Sequence, residues 1–286
     1  MDAPPQQEDS TPFVRVAAFL EAMHLNAPRL IEADIEQGFL LLSDLGTVPY
    51  LDELKQSPAS ANELYADAMR ALVQLQQRGT AYQATLPPYD ERLLRFELSL
   101  FHDWLCETHI GMEFSAAEEQ QWQRLCEQLI ANALDQPQVF VHRDYHSRNL
   151  MRTAQDNPGI LDFQDAVEGP YTYDLVSLLK DCYVRWPAQQ VRDWALGFYA
   201  QLDAAAREHS DADTFMRHFD LMGVQRHIKA AGIFARLNHR DGKPGYMADI
   251  PRTLQYIVEL GPRYEELEFL ITLINERCLP ALESTP

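Results

Sequence analysis

Apolar positions along this chain repeat mostly at helical spacing, with a few short runs that alternate or are wholly apolar. Phe13, Val16, Ala17 and Leu20 share one helical face. Ser10, Thr11 and Pro12 before them predict a start with a hydroxyl cap and a proline in the first turn, and an end near Met23. Residues 29–33 and 39–43 then read as two strands across a turn at Glu36, Gln37 and Gly38. The run Phe39–Leu42 is apolar throughout, as a buried strand is, and stops at Ser43, Asp44, Leu45 and Gly46.

Beyond Gly46 the pattern is chiefly helical. Leu64, Ala68, Ala71, Leu72 and Leu75 form one stripe, and Leu94, Leu98, Phe101 and Leu105 another. Ser115 with Glu118 is the signature of a capping box, opening a helix through Trp122, Leu125 and Leu129. Leu175, Leu178, Leu179 and Cys182 predict a helix over 173–183, Pro187 opens another, and long periodic stretches cover about 212–238 and 251–275, separated by a polar loop at 238–245. One segment departs from this rhythm. Val139, Phe140 and Val141 form a strand-like run, and 150–152 and 159–161 can pair around a turn at Asp156, Asn157, Pro158 and Gly159. That hairpin would bring Asn149 and Asp162 to one end.

A chain of 286 residues, 46% hydrophobic, can bury a substantial core in one large domain or two lobes. Its net charge of −19 argues against nucleic acid or an anionic membrane as the main partner. No apolar run approaches membrane-spanning length, and the acidic, polar first residues resemble neither a signal nor a transit peptide, so a cytoplasmic location is expected. Cys106, Cys126, Cys182 and Cys278 are far apart without a CxxC pair; all but Cys278 sit in apolar helical context, and reduced thiols are the simplest reading.

The unusual segment also carries the chemistry. His142, Arg143, Asp144 and, five residues after Asp144, Asn149 match the H-R-D-x-x-x-x-N loop of protein kinases, and Asp162 follows as a second acidic group. Phosphoryl transfer needs a carboxylate to accept the proton of the attacking hydroxyl and oxygen ligands for Mg²⁺ on the phosphates. Asp144 suits the first role; Asn149 and Asp162 suit the second. Only twelve positions separate Asp162 from Asp174, too few for the activation loop and A-P-E anchor of a eukaryotic-type protein kinase.

Taken together, Val141–Asp144, Asn149-Leu150, Ile160–Phe163 and Tyr173–Leu175 resemble the aminoglycoside phosphotransferase and small-molecule kinase family. The resemblance implies an α+β, protein-kinase-like fold with ATP and Mg²⁺ as cofactors. Ser43, Asp44 and Leu45 would form the hinge that meets adenine through backbone groups, and Asp174 would brace the catalytic loop from a helix start. The implied organisation is a small nucleotide lobe over residues 1–46 and a helical lobe over 47–286. Residues 1–5, Phe39–Gly46, Glu97–Trp104, Arg226–Arg236, Arg240–Pro244 and Asp249–Thr253 are further similar to bacterial anomeric amino-sugar kinases. Those enzymes phosphorylate N-acetylmuramate or N-acetylglucosamine at the anomeric hydroxyl in peptidoglycan recycling, which makes an amino sugar the expected acceptor. Glu97, Phe101 and Trp104, at i, i+4 and i+7, would suit a sugar site or a core face; Arg226, His227 and Lys229 would reach a carboxylate or phosphate, or form ordinary salt bridges.

One departure from the family stands out. The chain has no G-x-G-x-x-G, its first glycine is Gly38, and its lysines, Lys55, Lys180, Lys229 and Lys243, all follow the position where a family strand often supplies one. Residues 1–5 resemble the end of that strand, so a shortened nucleotide lobe is expected. The competing readings are an aminoglycoside or other metabolite kinase and, from another class, a pseudokinase-like binding protein.

Overall fold

The structure, a computed structural model, describes residues 1–6, 9–203, 207 and 210–284. In chain order its principal elements are α1 (Thr11–Ala22), β1 (Leu30–Asp34), β2 (Phe39–Leu42), α2 (Tyr50–Gln56), α3 (Ala61–Gly79) and α4 (Glu91–Leu100). A π-helical segment, Phe101–Ile110, continues α4, and α5 (Ala116–Asp135) follows. Then come β3 (Gln138–Val141), β4 (Leu150–Met151), β5 (Gly159–Ile160), β6 (Val167–Pro170), α6 (Tyr173–Leu179), α7 (Ala188–Gln201), α8 (Ala212–Asp241), α9 (Ile250–Val258), α10 (Glu268–Leu273) and α11 (Leu279–Ser284).

These elements divide between two compact units, each made of two chain segments: Met1–Pro88 with Pro137–Ala212, and Tyr89–Gln136 with Asp213–Pro286. In the first unit, three two-stranded antiparallel sheets lie among helices. β1 and β2 pair with Asp34 opposite Phe39, and Ala3 and Leu40 exchange bonds with Gly38 and Met1 along the other edge of β2. Gly38 turns the hairpin at φ +79°, where a Cβ would lie 2.1 Å from the Ala3 carbonyl oxygen, so only glycine fits. β3 pairs with β6 and β4 with β5, the latter being the expected hairpin around residues 156–159. β3 also presses on α3: Gly79 leaves room for Phe140, whose Cβ would be 2.5 Å from an added Gly79 Cβ. The buried Tyr145 donates from its hydroxyl to the Ala68 carbonyl of α3, tying the segment after β3 to the same helix.

The second unit is all helical among the described residues. The capping box forms as expected, with the Ser115 side chain accepting from Glu118 N and the Glu118 carboxylate from Ser115 N at 2.7 Å. α8 runs thirty residues, past the polar stretch expected to be loop from 238. At Gly232 it lies directly on the backbone of the α4 end, since a Cβ there would meet Leu100 C at 2.3 Å. All four cysteines are free and buried, including Cys278, the one outside the expected apolar helical context. Cys106 and Cys278 share a hydrogen bond that, with burial, holds the Cys106 thiol well above its ordinary range. No helix among the described residues is long and apolar enough to cross a membrane.

Five further expectations need correction. The apolar run Phe39–Leu42 is not a buried strand: Leu40 is buried, whereas Phe39 and Leu41 are exposed. Ser10 makes no side-chain cap; the Asp9 carboxylate accepts from Thr11 N instead, because Ser10 already has helical dihedrals. The helix over 173–183 ends at Leu179, since Asp181 and Tyr183 are drawn into contacts with the segment after β3. The periodic stretch 251–275 is broken by 3₁₀ turns at Gly261–Arg263 and Glu265–Leu267, where Gly261 and a proline interrupt the helix. The π-helical segment removes Trp104 from the regular i+7 register with Glu97, since its wider turn shifts every later side chain around the axis.

Two glycines give opposite stability tests. Gly232→Ala should lower the free energy of unfolding by about 2–3 kcal/mol, because the clash is with backbone that no rotamer can relieve. Gly197→Ala, in α7 with no atom near the added methyl, should raise it by ~0.5–1 kcal/mol. Urea unfolding of both variants checks the pair.

Candidate active site

β3 delivers the chain into His142–Asn149, and β4 and β5 return it to Asp162. Without regular structure, this loop depends on side chains to satisfy its backbone. Asp174, buried in the first turn of α6, accepts from His142 N at 2.6 Å and from Arg143 N at 3.0 Å. Arg143 sits at φ +76°, a conformation a non-glycine residue keeps only when its surroundings impose it. The expectation that Asp174 braces the loop from the start of a helix is therefore met geometrically; the N-cap position itself belongs to Thr172.

His142 is fully buried and structural. Its Nδ1 accepts from Asp144 N at 3.2 Å. Burial depresses the imidazole to about 4, so the ring is neutral at physiological pH. Asn149 couples the two halves of the site. Its Nδ2 donates to the Asp144 carbonyl and to Asp162 Oδ2, each at 3.1 Å, while its backbone oxygen accepts from Leu161 N at 2.9 Å. The fold thus brings Asn149 and Asp162 together, as the hairpin reading expected, and Asn149 ties them to the Asp144 backbone.

Asp162 has φ +62° and an exposed side chain. Gln164 Nε2 holds its Oδ1 at 2.9 Å and Asn149 its Oδ2. Both partners are neutral amides, and no lysine or arginine among the described residues pairs with this carboxylate. A fixed, uncompensated carboxylate beside a side-chain amide is a hard-oxygen donor set that fits Mg²⁺. Phe163, the next residue, is fully buried and stacks on Phe13 of α1 at 4.7 Å, an anchor worth about 1 kcal/mol beyond its burial. A cavity of about 410 Å³ opens here, lined by Phe13, Leu42, Leu161 and Phe163 and by the polar Asp9, Ser10, Asn149, Asp162 and Gln164.

Leu42 connects this cavity to the expected hinge. Ser43 spends its groups on the hairpin, its N donating to Arg29 O and its Oγ accepting from Arg29 N. Asp44 Oδ1 accepts from Gly46 N, closing a tight turn, and Leu45 lies against Gly159 of β5. In the second unit, Glu97 is buried and fully engaged. It takes a short hydrogen bond from Tyr89, another from Gln225 at 3.0 Å and an ion pair with Lys229 at 2.8 Å. Phe101 is wholly buried and His227 stacks on Tyr256 at 4.7 Å. For Lys229 and Phe101 the salt-bridge and core readings therefore describe what these side chains do.

Sequence reasoning missed Gln164, which holds Asp162, and the group around Asp181. Asp181 accepts from Ser147, and Tyr183 lies between His146 and Arg148. Burial raises the Tyr183 phenol to about 12, so it stays neutral against Arg148. Apolar spacing had drawn these residues into a helix, and nothing in their local pattern marks them otherwise.

A sequence profile described as "Phosphotransferase enzyme family" matches residues 1–209. The chain belongs to that family and is a small-molecule phosphotransferase acting on a hydroxyl acceptor. It is 47% identical over 279 residues to a Pseudomonas aeruginosa protein named N-acetylmuramate/N-acetylglucosamine kinase, covering 96% of this chain and 80% of the relative. A Neisseria meningitidis protein of the same name is 40% identical over 96% of this chain and 82% of its own length. Among solved structures, a Plasmodium vivax ethanolamine kinase aligns with a TM-score of 0.59 at 11% identity, over 86% of this chain and 72% of that one. An ADP-bound aminoglycoside phosphotransferase aligns at 0.55 and 17%, over 87% and 84%. These likenesses establish the α+β, protein-kinase-like fold.

The buried His142 predicts a pH dependence of stability. Between its ordinary value of 6.5 and about 4 the folded chain binds fewer protons than the unfolded one, so this contribution is complete above pH 6.5 and is lost as pH falls through that window. Replacing His142 with Gln should flatten the acid limb of the stability curve by on the order of 3 kcal/mol. Unfolding of both proteins between pH 7.5 and pH 4 measures the difference.

Proposed function

We propose that the chain transfers the γ-phosphoryl group of ATP to the anomeric hydroxyl of N-acetylmuramate or N-acetylglucosamine. The observation that carries this reading is the junction of Asp144, Asn149 and Asp162 through the Asn149 amide, in a chain 47% identical to a protein named for that activity. Asp144 is the group that accepts the acceptor's proton. An anomeric hydroxyl is more acidic than an ordinary alcohol, so a carboxylate can assist its deprotonation as the phosphoryl group arrives.

Asn149 and Asp162 would hold Mg²⁺, which when bound neutralises charge on the phosphates. The apolar cavity walls, Phe13, Leu42 and Leu161, suit a purine ring, with the phosphates toward Asn149 and Asp162. The backbone of Asp44 and Leu45 is proposed to meet the adenine edge; Ser43 contributes by closing the hairpin that carries them. The protein then works chiefly by positioning. Asp174 and His142 fix the loop, Asn149 locks Asp162 to it, and the proton-accepting carboxylate and phosphate ligands are in place before substrate arrives. The neutral His142 keeps its Nδ1 as an acceptor for Asp144 N, so it holds the base without competing for its proton.

Two substitutions test this reading. Asp144→Asn should leave folding and nucleotide binding intact while turnover falls roughly 10²–10⁴-fold, the scale of a lost general base. Asp162→Asn should instead raise the Mg²⁺ concentration needed for half-maximal rate. Phosphate transfer from labelled ATP to a panel of amino sugars, aminoglycosides and amino alcohols is the assay. Transfer to aminoglycosides alone would replace the acceptor assignment, and full activity of Asp144→Asn would remove the proposed base.

A further inference from the structure

The loop is held from both ends of one helix. α6 is only seven residues, Tyr173–Leu179, and every one of them is buried. A rod of that length spans about 10 Å and cannot bend to suit its neighbours. At its start Asp174 takes the amides of His142 and Arg143, just before Asp144. Just beyond its end stands Asp181, which is 1% exposed. Asp181 Oδ2 accepts from Ser147 N at 3.0 Å and from the Ser147 hydroxyl in a short hydrogen bond, and Oδ1 accepts from Tyr183 N at 2.9 Å.

A buried carboxylate is costly unless its oxygens are satisfied, and two of the hydrogen bonds to this one come from Ser147, between Asp144 and Asn149. Ser147 is itself fully buried, and its carbonyl accepts from Leu51 N of α2 at 2.9 Å. The Tyr183 ring adds two further contacts to the same stretch. His146 meets it edge-on at 5.5 Å, and the Arg148 guanidinium lies 4.7 Å over its face. Three consecutive loop residues are thus gripped by two residues, Asp181 and Tyr183. The grip falls on the far side of Asp144 from Asp174 and immediately before Asn149.

We infer that Asp181 is a positioning residue for phosphoryl transfer: with Asp174 it stretches the catalytic loop along α6 and so sets the spacing between the base Asp144 and the metal ligand Asn149. Asp181 does not touch the reacting atoms; it acts through Ser147 and Tyr183. This inference rests on the roles proposed above for Asp144 and Asn149. Its physical core, that Asp181 orders residues 144–149, stands apart from them. Without the grip, Asn149 loses its fixed distance from Asp144 while the acceptor and nucleotide surfaces keep theirs. The loss therefore falls on turnover and metal dependence and leaves substrate affinity unchanged.

The experiment compares Asp181→Ala, Asp181→Asn and Ser147→Ala with the parent chain. Ser147→Ala removes one donor and leaves the buried carboxylate with its other partners, so it keeps the question open to measurement should Asp181→Ala not fold. Three readouts are taken: kcat and acceptor KM, the Mg²⁺ concentration for half-maximal rate, and amide hydrogen exchange of residues 144–149 relative to α3. Asp181→Ala is expected to lower kcat roughly 10–100-fold with acceptor KM changed less than about threefold, to raise the Mg²⁺ requirement, and to speed exchange in 144–149 but not in α3. Asp181→Asn, which keeps an acceptor oxygen, and Ser147→Ala should fall between. A lower melting temperature with kcat, Mg²⁺ requirement and loop exchange all unchanged would make Asp181 merely structural and overturn the inference. Should the parent chain phosphorylate none of the acceptors, the functional reading fails by itself; the exchange measurement still decides whether Asp181 orders the loop, and unchanged exchange in Asp181→Asn and Ser147→Ala overturns that as well.

Discussion

The contact on which the first unit's site depends is the Asp174 carboxylate with the two amides of His142 and Arg143. A buried carboxylate needs donors, and a loop leaving a strand has amides that need acceptors; each meets the other's requirement. The left-handed backbone at Arg143 follows from this contact, because two successive amides can converge on one carboxylate only if the chain turns sharply between them. That turn carries the chain through Asp144 and sends the loop on toward Ser147 and Asn149. Replacing Asp174 with an apolar residue would remove the acceptor and leave both amides buried and unmet.

Asp162 shows a related economy. Its positive φ places it just past β5, where two amide side chains hold the carboxylate and no basic residue among the described ones pairs with it. The stack of Phe163 on Phe13 supports that strained position with apolar packing, which is how a residue can stay in an unfavourable backbone region beside a ligand site. His142 holds the Asp144 end of the site by accepting from Asp144 N with a neutral ring. The candidate site is thus built mainly from backbone bonds and neutral groups, with the Asp162 carboxylate held by two amides.

The second unit uses its polar residues differently. Glu97 is enclosed by Tyr89, Gln225 and Lys229, so that a charge which could have faced a ligand is compensated within the unit. Such a pair is poor evidence of stability by itself, since desolvation offsets much of its attraction. It does dictate which face of α4 lies toward α8, in step with the close approach at Gly232. The π-helical continuation of α4 belongs to the same packing problem, rotating later side chains around the axis while Phe101 and Leu105 stay in the core.

Several features were decided by the chain's local pattern. The periodic apolar stripes specified most helices, the capping box at Ser115 specified a start, and the spacing of Asp144, Asn149 and Asp162 around a short hairpin announced the site, because strand pairing across a turn follows from local sequence. Only tertiary structure decided the rest. Asp181 and Tyr183 look helical by apolar spacing, yet the hydrogen bonds of Asp181 and the ring contacts of Tyr183 with a loop more than thirty residues away end the helix at Leu179. Glu97 and Trp104 share an ideal helical face, but a π-helical turn separates them. Lys229 carries a charge that reads equally as ligand or salt bridge until Glu97 is found 2.8 Å away. In each case the deciding partner is distant in sequence, and periodicity carries no information about which distant group will claim a side chain's hydrogen bonds.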